Sequence, residues 1–166
     1  MIRRGFTLIE MLLVLTILSI IAGIVLPMAL ASSAGLADST ARLLWSDLEH
    51  AQVLAIARPN TRVALQVDAD GLGWRLVDLD APGTPLLDAI DDGYNARSLA
   101  VRFGHGRGAA YQDTTVGPAG RAIVFDALGG LEIPGGPDQT LTVTGPLTTR
   151  IVVVNPDTGF VSVLSP

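Results

Sequence analysis

The chain has 166 residues, no cysteine and a formal charge of −5 at pH 7, with a mean hydropathy of +0.46. Without cysteine it has no disulfide framework, thiol chemistry or Cys-ligated zinc, and an acidic balance with no basic stripe argues against binding a phosphate backbone. Beyond an apolar N-terminal segment of about 30 residues, the length leaves room for one small globular domain, held by its packed core.

Arg3 and Arg4 precede Gly5-Phe6-Thr7-Leu8-Ile9-Glu10, and the chain then runs apolar from Met11 to Leu26, broken by Thr16, Ser19 and Gly23. An acid within such a helix costs roughly 2.5–3.5 kcal/mol at the bilayer centre, so Glu10 needs a partner, a shallow seat or a proton. It reads as a functional residue. From Phe6 to Ala31 the helix would be about 39 Å long, against a hydrocarbon core of about 30 Å. Positive charge ahead of it predicts a cytoplasmic N-terminus and an extracytoplasmic domain. Gly23 and Pro27 are predicted to bend or locally melt this helix. A conventional secretory signal is the competing reading, since Ala29-Leu30-Ala31 fits its cleavage site. Glu10 within the apolar run stands against it, and also against an unprocessed signal anchor.

Arg-Arg-Gly-Phe-Thr-Leu-Ile-Glu before a hydrophobic helix resembles the N-terminal signal of type IV pilins and of type II secretion pseudopilins. The resemblance implies a leader of residues 1–5, cut by a prepilin peptidase between Gly5 and Phe6, and N-methylation of Phe6. It makes Glu10 the assembly residue, pairing with the amine of a neighbouring subunit, and Pro27 the family's helix-kinking proline. A buried ammonium needs an anion, which gives that pairing its physical sense. Loss of Arg3 and Arg4 with the leader takes the formal charge from −5 to −7 and leaves only arginine as the basic type. The C-terminal segment Gly159–Pro166 has no arginine, unlike the basic C-terminus of pilins that bind DNA.

Residues 32–166 are predicted to form a periplasmic head. Ser32-Ser33-Ala34-Gly35 is a weak stretch, after which Asp38 or Ser39 could cap a restarted helix over about 38–57. Leu44, Leu48, Ala51 and Ala55 mark its buried face, with Arg42, Ser46 and Glu49 opposite, and Pro59 stops it. The period then changes to two. Thr61–Val67 and Trp74–Leu79 form a hairpin across Asp68-Ala69-Asp70-Gly71. Further strands are predicted at Leu99–Phe103, Ala122–Asp126, Thr140–Thr144, Arg150–Asn155 and Phe160–Leu164, about seven in all, with loops over 81–96 and 104–120. The fold class is α+β, a long N-terminal helix, transmembrane over its first half, packed on antiparallel sheet. The helix, the hairpin ending in Gly73-Trp74, the Ile123-Val124-Phe125…Gly129 turn and the C-terminal hairpin are similar to the GspH/FimT type of minor pseudopilin.

Other candidate sites read as structure. Asp68-Ala69-Asp70-Gly71 lacks the first and last ligands of a calcium loop and reads as a turn. Asp88, Asp91 and Asp92 leave open a calcium-binding or a merely solvated acidic loop. His50 falls on the helix and His105 in a glycine-rich loop, with no nucleophile spacing around either. Trp45 and Trp74 read as core anchors. The prediction is therefore no enzyme, metal or cofactor. It is a subunit in the inner membrane and periplasm, with prepilin peptidase, other pseudopilin subunits and an inner-membrane assembly platform as partners. The predicted role is minor pseudopilin of a type II secretion pseudopilus. The alternatives are a minor pilin of a type IV pilus, serving adhesion, twitching or DNA uptake, and an exported binding domain.

Overall fold

The computed structural model describes residues 7–81, 86, 99–133 and 137–165, with the backbone alone over 25–34. Helix α1 spans Leu8–Ala34 and α2 spans Leu36–Ala57. Strands β1 (Val63–Val67), β2 (Gly73–Asp78), β3 (Ala100–Arg102) and β5 (Ala122–Val124) build one sheet in the order β3-β2-β1-β5. Strands β4 (Thr115–Gly117), β6 (Gln139–Thr144), β7 (Thr149–Val154) and β8 (Val161–Leu164) build the second, in the order β4-β6-β7-β8. Every pairing is antiparallel. This is the predicted α+β architecture, with one strand more than the alternation showed. The added β4 lies in the stretch 104–120 read as loop, because three residues ending in a glycine carry no readable period.

Helix α1 is helical through both Gly23 and Pro27, so neither melts it. Its polar interruptions are satisfied internally: the Thr16 hydroxyl donates to Leu12 O at 2.7 Å and the Ser19 hydroxyl to Thr16 O at 2.9 Å. That arrangement suits apolar surroundings, where an unpaired hydroxyl is costly. Leu8, Ile9, Met11, Leu13 and Val14 are all exposed, on every side of the helix. Among the described residues no helix is long and apolar enough to cross a membrane, the side chains described in α1 ending at Ile24.

The break after α1 is one residue wide, at Gly35, and neither Asp38 nor Ser39 caps α2. Ser39 is already within the helix, its hydroxyl donating back to Gly35 O and Leu36 O. Asp38 instead takes Arg42 at 2.9 Å and Arg150 of β7 at 3.3 Å. Those guanidiniums, Arg42 first, hold its carboxyl below the ordinary carboxylate value. A lowered folded-state pKa means that the stabilisation is present above about pH 4 and is lost as pH falls through the folded value. Asp38→Asn should therefore lower the melting temperature slightly at pH 7, with the gap closing in acid; the effect is small because the pair is half exposed.

Leu44, Leu48, Ala51 and Ala55 are buried as the helical period predicts, while Arg42, Ser46 and Glu49 are exposed. They meet Val63, Leu65 and Val67 of β1 and Leu141, Val143, Val152 and Val154 of the second sheet in one core, so α2 bridges both sheets. Trp74 is fully buried, edge-on to Phe103. Trp45 is not a core anchor, being 38% exposed. It follows Leu44 by 100° around the helix, which turns it away from the sheets. The turn after β1 is confirmed as a turn: Arg75 and Arg102 hold Asp68 at 2.9 and 3.3 Å, and Arg102 also grips Asp70 at 2.7 Å.

Candidate functional site

Thr7 and Glu10 start α1 as a reciprocal pair. The Glu10 carboxylate accepts the Thr7 N–H and hydroxyl, each at 3.3 Å, and the Glu10 N–H points to the Thr7 hydroxyl oxygen at 3.3 Å. This is a capping box: the Glu10 carboxylate satisfies the Thr7 N–H, which has no partner inside the helix, and the Glu10 N–H, which donates to Thr7 O at 3.1 Å, is shared with the Thr7 hydroxyl. The negative charge also sits at the positive end of the helix dipole. Both residues are exposed, so the carboxylate remains within reach of an incoming cation. Thr-x-x-Glu before an apolar run is the sequence signature of this cap, and it was there to be read. Gly5 and Phe6 lie outside the described residues, as do Asp88, Asp91 and Asp92. Glu10, Gly23 and Pro27 all fall on α1, with Glu10 in its first turn.

A second polar cluster ties the head together. Asp47, buried in the apolar face of α2, accepts Trp74 Nε1–H at 2.8 Å and an Arg107 guanidinium N–H at 2.7 Å. The bond fixes α2 to β2 and anchors the loop between Gly104 and Gly108. An aspartate between Leu44 and Leu48 is the signal for such a partner, since an acid on a core face is rarely left unpaired. Farther along α2, the Gln52 amide donates to Gly129 O at 2.7 Å and Thr158 O at 2.9 Å, gathering two turns onto the helix. Gly159 has φ +66°, and a Cβ there would collide with the Gly129 carbonyl and the Gln52 amide. His50 is half-buried on α2 and His105 is exposed.

A capped, exposed apolar helix leading into a helix-on-sheet head defines a subunit built to be covered by its neighbours or by lipid. Residues 1–26 match the model of the prokaryotic N-terminal methylation motif. The chain is 35% identical over 158 residues to the pilin-like protein PilA1 of Thermus thermophilus, covering 93% of this chain and 95% of that one. The chain belongs to the family of pilin-like proteins. Among solved structures, the minor pseudopilin EpsH from the type 2 secretion system of Vibrio cholerae aligns with a TM-score of 0.49 at 16% identity, over 78% of this chain and 97% of that one. Proteins of the pilin-like family are structural subunits rather than enzymes.

Proposed function

We propose that the chain is a minor pseudopilin: a membrane-stored precursor, cut between Gly5 and Phe6, methylated on Phe6 and drawn through α1 into a filament of like subunits. The observation that carries this reading is α1 itself. It is apolar around its circumference, exposed along the described side chains and capped by an acid that stays accessible. Such a helix is stable in lipid before assembly and among other such helices afterwards. Apolar sequence continues from Ile24 to Leu30 with Pro27 inside it, so the span reaches bilayer length. Pro27, and Gly23 a turn earlier, would let the helix bend as it repacks.

In this reading the peptidase that cuts the precursor sits in the inner membrane, the head lies in the periplasm, and an inner-membrane platform drives assembly. The resemblance of the head, with α2, the Gly73-Trp74 hairpin and a C-terminal hairpin, to the GspH/FimT type of minor pseudopilin is what favours the pseudopilus of a type II secretion system as the machine. A minor pilin of a type IV pilus would use the same α1 and differ in what the head touches. Intact mass of the protein from membranes with and without active peptidase tests the class. A chain beginning at N-methylated Phe6 only when the peptidase is present is the expected result. A start at Ser32, or at Met1 in both, overturns it. Loss of secreted cargo, with pili intact, on deletion of the chain would then assign the machine.

A further inference from the structure

The two sheets end in four strand edges, and at three of them an outward backbone group is already used. Val124 O of β5 accepts Glu132 N–H at 3.0 Å, Val116 N–H of β4 donates to Gly71 O at 2.8 Å, and Arg102 O of β3 accepts His105 N–H at 3.1 Å. Edges closed in this way resist pairing with other chains. β8 is different. It reads Val-Ser-Val-Leu, with no charge and no proline, and it is the last strand of its sheet.

The register fixes which of its groups face outward. Asn155 N–H donates to Phe160 O at 2.9 Å, and β7 pairs Val153 with Ser162 and Ile151 with Leu164. In an antiparallel ladder hydrogen-bonded and non-bonded pairs alternate. Ser162 and Leu164 therefore bond to β7, while the N–H and C=O of Val161 and Val163 point away from it. Among the described residues no backbone bond reaches that outer side.

This edge opens into a groove of about 470 Å³ beside the first half of α2, with Trp45, Phe160, Arg42 and Arg150 on its walls. Trp45 is 38% and Phe160 67% exposed, so among the described residues the groove has apolar surface without an occupant. Its charge is opposite to that of the molecule. Arg42 and Arg150 share the single carboxylate of Asp38, leaving a net positive site on a chain of formal charge −5. The complement is an extended segment that brings alternate apolar side chains and an acid.

We propose that β8 accepts an extended, carboxylate-bearing peptide segment of another protein as a fifth strand of the second sheet. The segment bonds to the backbone of Val163, packs on Trp45 and Phe160, and sets its carboxylate against Arg42 and Arg150. The inference concerns the head alone, so it holds or fails separately from the filament reading.

The test uses the full chain in detergent and three fluorescein-labelled peptides: Thr-Val-Thr-Val-Thr-Glu, the same peptide ending in lysine, and one with proline at its fourth position. Anisotropy should rise for the glutamate peptide, with at least about tenfold weaker binding for the lysine peptide, a difference of about 1.4 kcal/mol. The proline peptide should bind more weakly still, having lost an edge hydrogen bond. Val163→Pro removes an outward N–H, trims a side chain packed against the core and keeps the bonds of Ser162 and Leu164 to β7; it should abolish binding while circular dichroism stays unchanged. Arg42→Glu should weaken the glutamate peptide about tenfold and spare the lysine peptide. Equal binding of the two peptides, unchanged binding by Val163→Pro, or no anisotropy change at about 1 mM peptide overturns the proposal. So does self-association that Val163→Pro removes, which would make a second copy the occupant.

Discussion

Glu10→Leu is expected to leave the precursor inserted, cut and methylated, yet lower its recovery in filaments by more than tenfold, the equivalent of about 1.4 kcal/mol or more. Two terms act in opposite directions. Removing an acid from an apolar helix favours insertion by up to roughly 3 kcal/mol. Losing the carboxylate half of the cap, while the Thr7 hydroxyl still accepts the N–H of residue 10, costs the helix start about 1 kcal/mol or less. Neither term opposes assembly strongly, so a large assembly defect has to come from an ammonium of the next subunit left without its anion. Glu10→Gln separates the roles. The glutamine carbonyl still accepts from Thr7, while the charge is gone. Filament incorporation measured by shearing and immunoblot should fall as far for Gln as for Leu. Wild-type incorporation of Glu10→Gln would reduce Glu10 to a helix cap and remove it from the assembly interface.

Much of the head was legible because its local signals agree with its packing. The spacing of Leu44, Leu48, Ala51 and Ala55 puts four apolar residues on one helix face, and all four are buried. Val63, Leu65 and Val67 alternate in β1 and are likewise buried. The Asp68–Gly71 turn follows from residues that tolerate tight backbone, and Gly71 has the positive φ of +70° that favours glycine. β4 was not legible, since a strand of three residues depends on the neighbour that pairs with it rather than on its own pattern. Trp45 misled for another reason. Its size suggests burial, but its helical angle places it at the rim of the core, where only the neighbouring strand decides its exposure.

The N-terminal end of the molecule was singled out through chemistry instead of periodicity. An acid in an apolar run is costly enough to demand a purpose, and that argument needs no fold. The finer geometry was present in the sequence but masked by that stronger signal. Thr7 three residues before Glu10 is a cap in its own right, and the cap explains how the carboxylate is held. Asp47 was passed over in the same way. Within a strong Leu44…Leu48 repeat a single acid reads as a flaw in the pattern, although its partners, Trp74 and Arg107, are 27 and 60 residues away.

Asp47 also carries the largest stability effect expected in the head. Asp47→Ala leaves the buried Trp74 N–H without an acceptor, which costs about 1–3 kcal/mol, and opens a small cavity beside the indole. Release of Arg107 adds little, because its side chain is 42% exposed and half-exposed ion pairs contribute under about 1 kcal/mol. The sum, roughly 2–4 kcal/mol, should lower the melting temperature by about 10 °C for a head of this size. Asp47→Asn keeps an acceptor for Trp74 and should cost well under half as much. Arg107→Ala should barely move the melting temperature but should speed proteolysis between Gly104 and Gly108, because only this contact pins that loop to α2 among the bonds of the described residues. If Asp47→Ala were no more destabilising than Arg107→Ala, the Trp74 bond would contribute nothing net, and α2 would be held on β2 by apolar packing alone. The expected ordering, Ala far below Asn and Asn close to wild type, makes Asp47 the residue that fixes α2 on β2. A filament subunit needs that joint to be rigid, since any force on α1 reaches the sheets through α2.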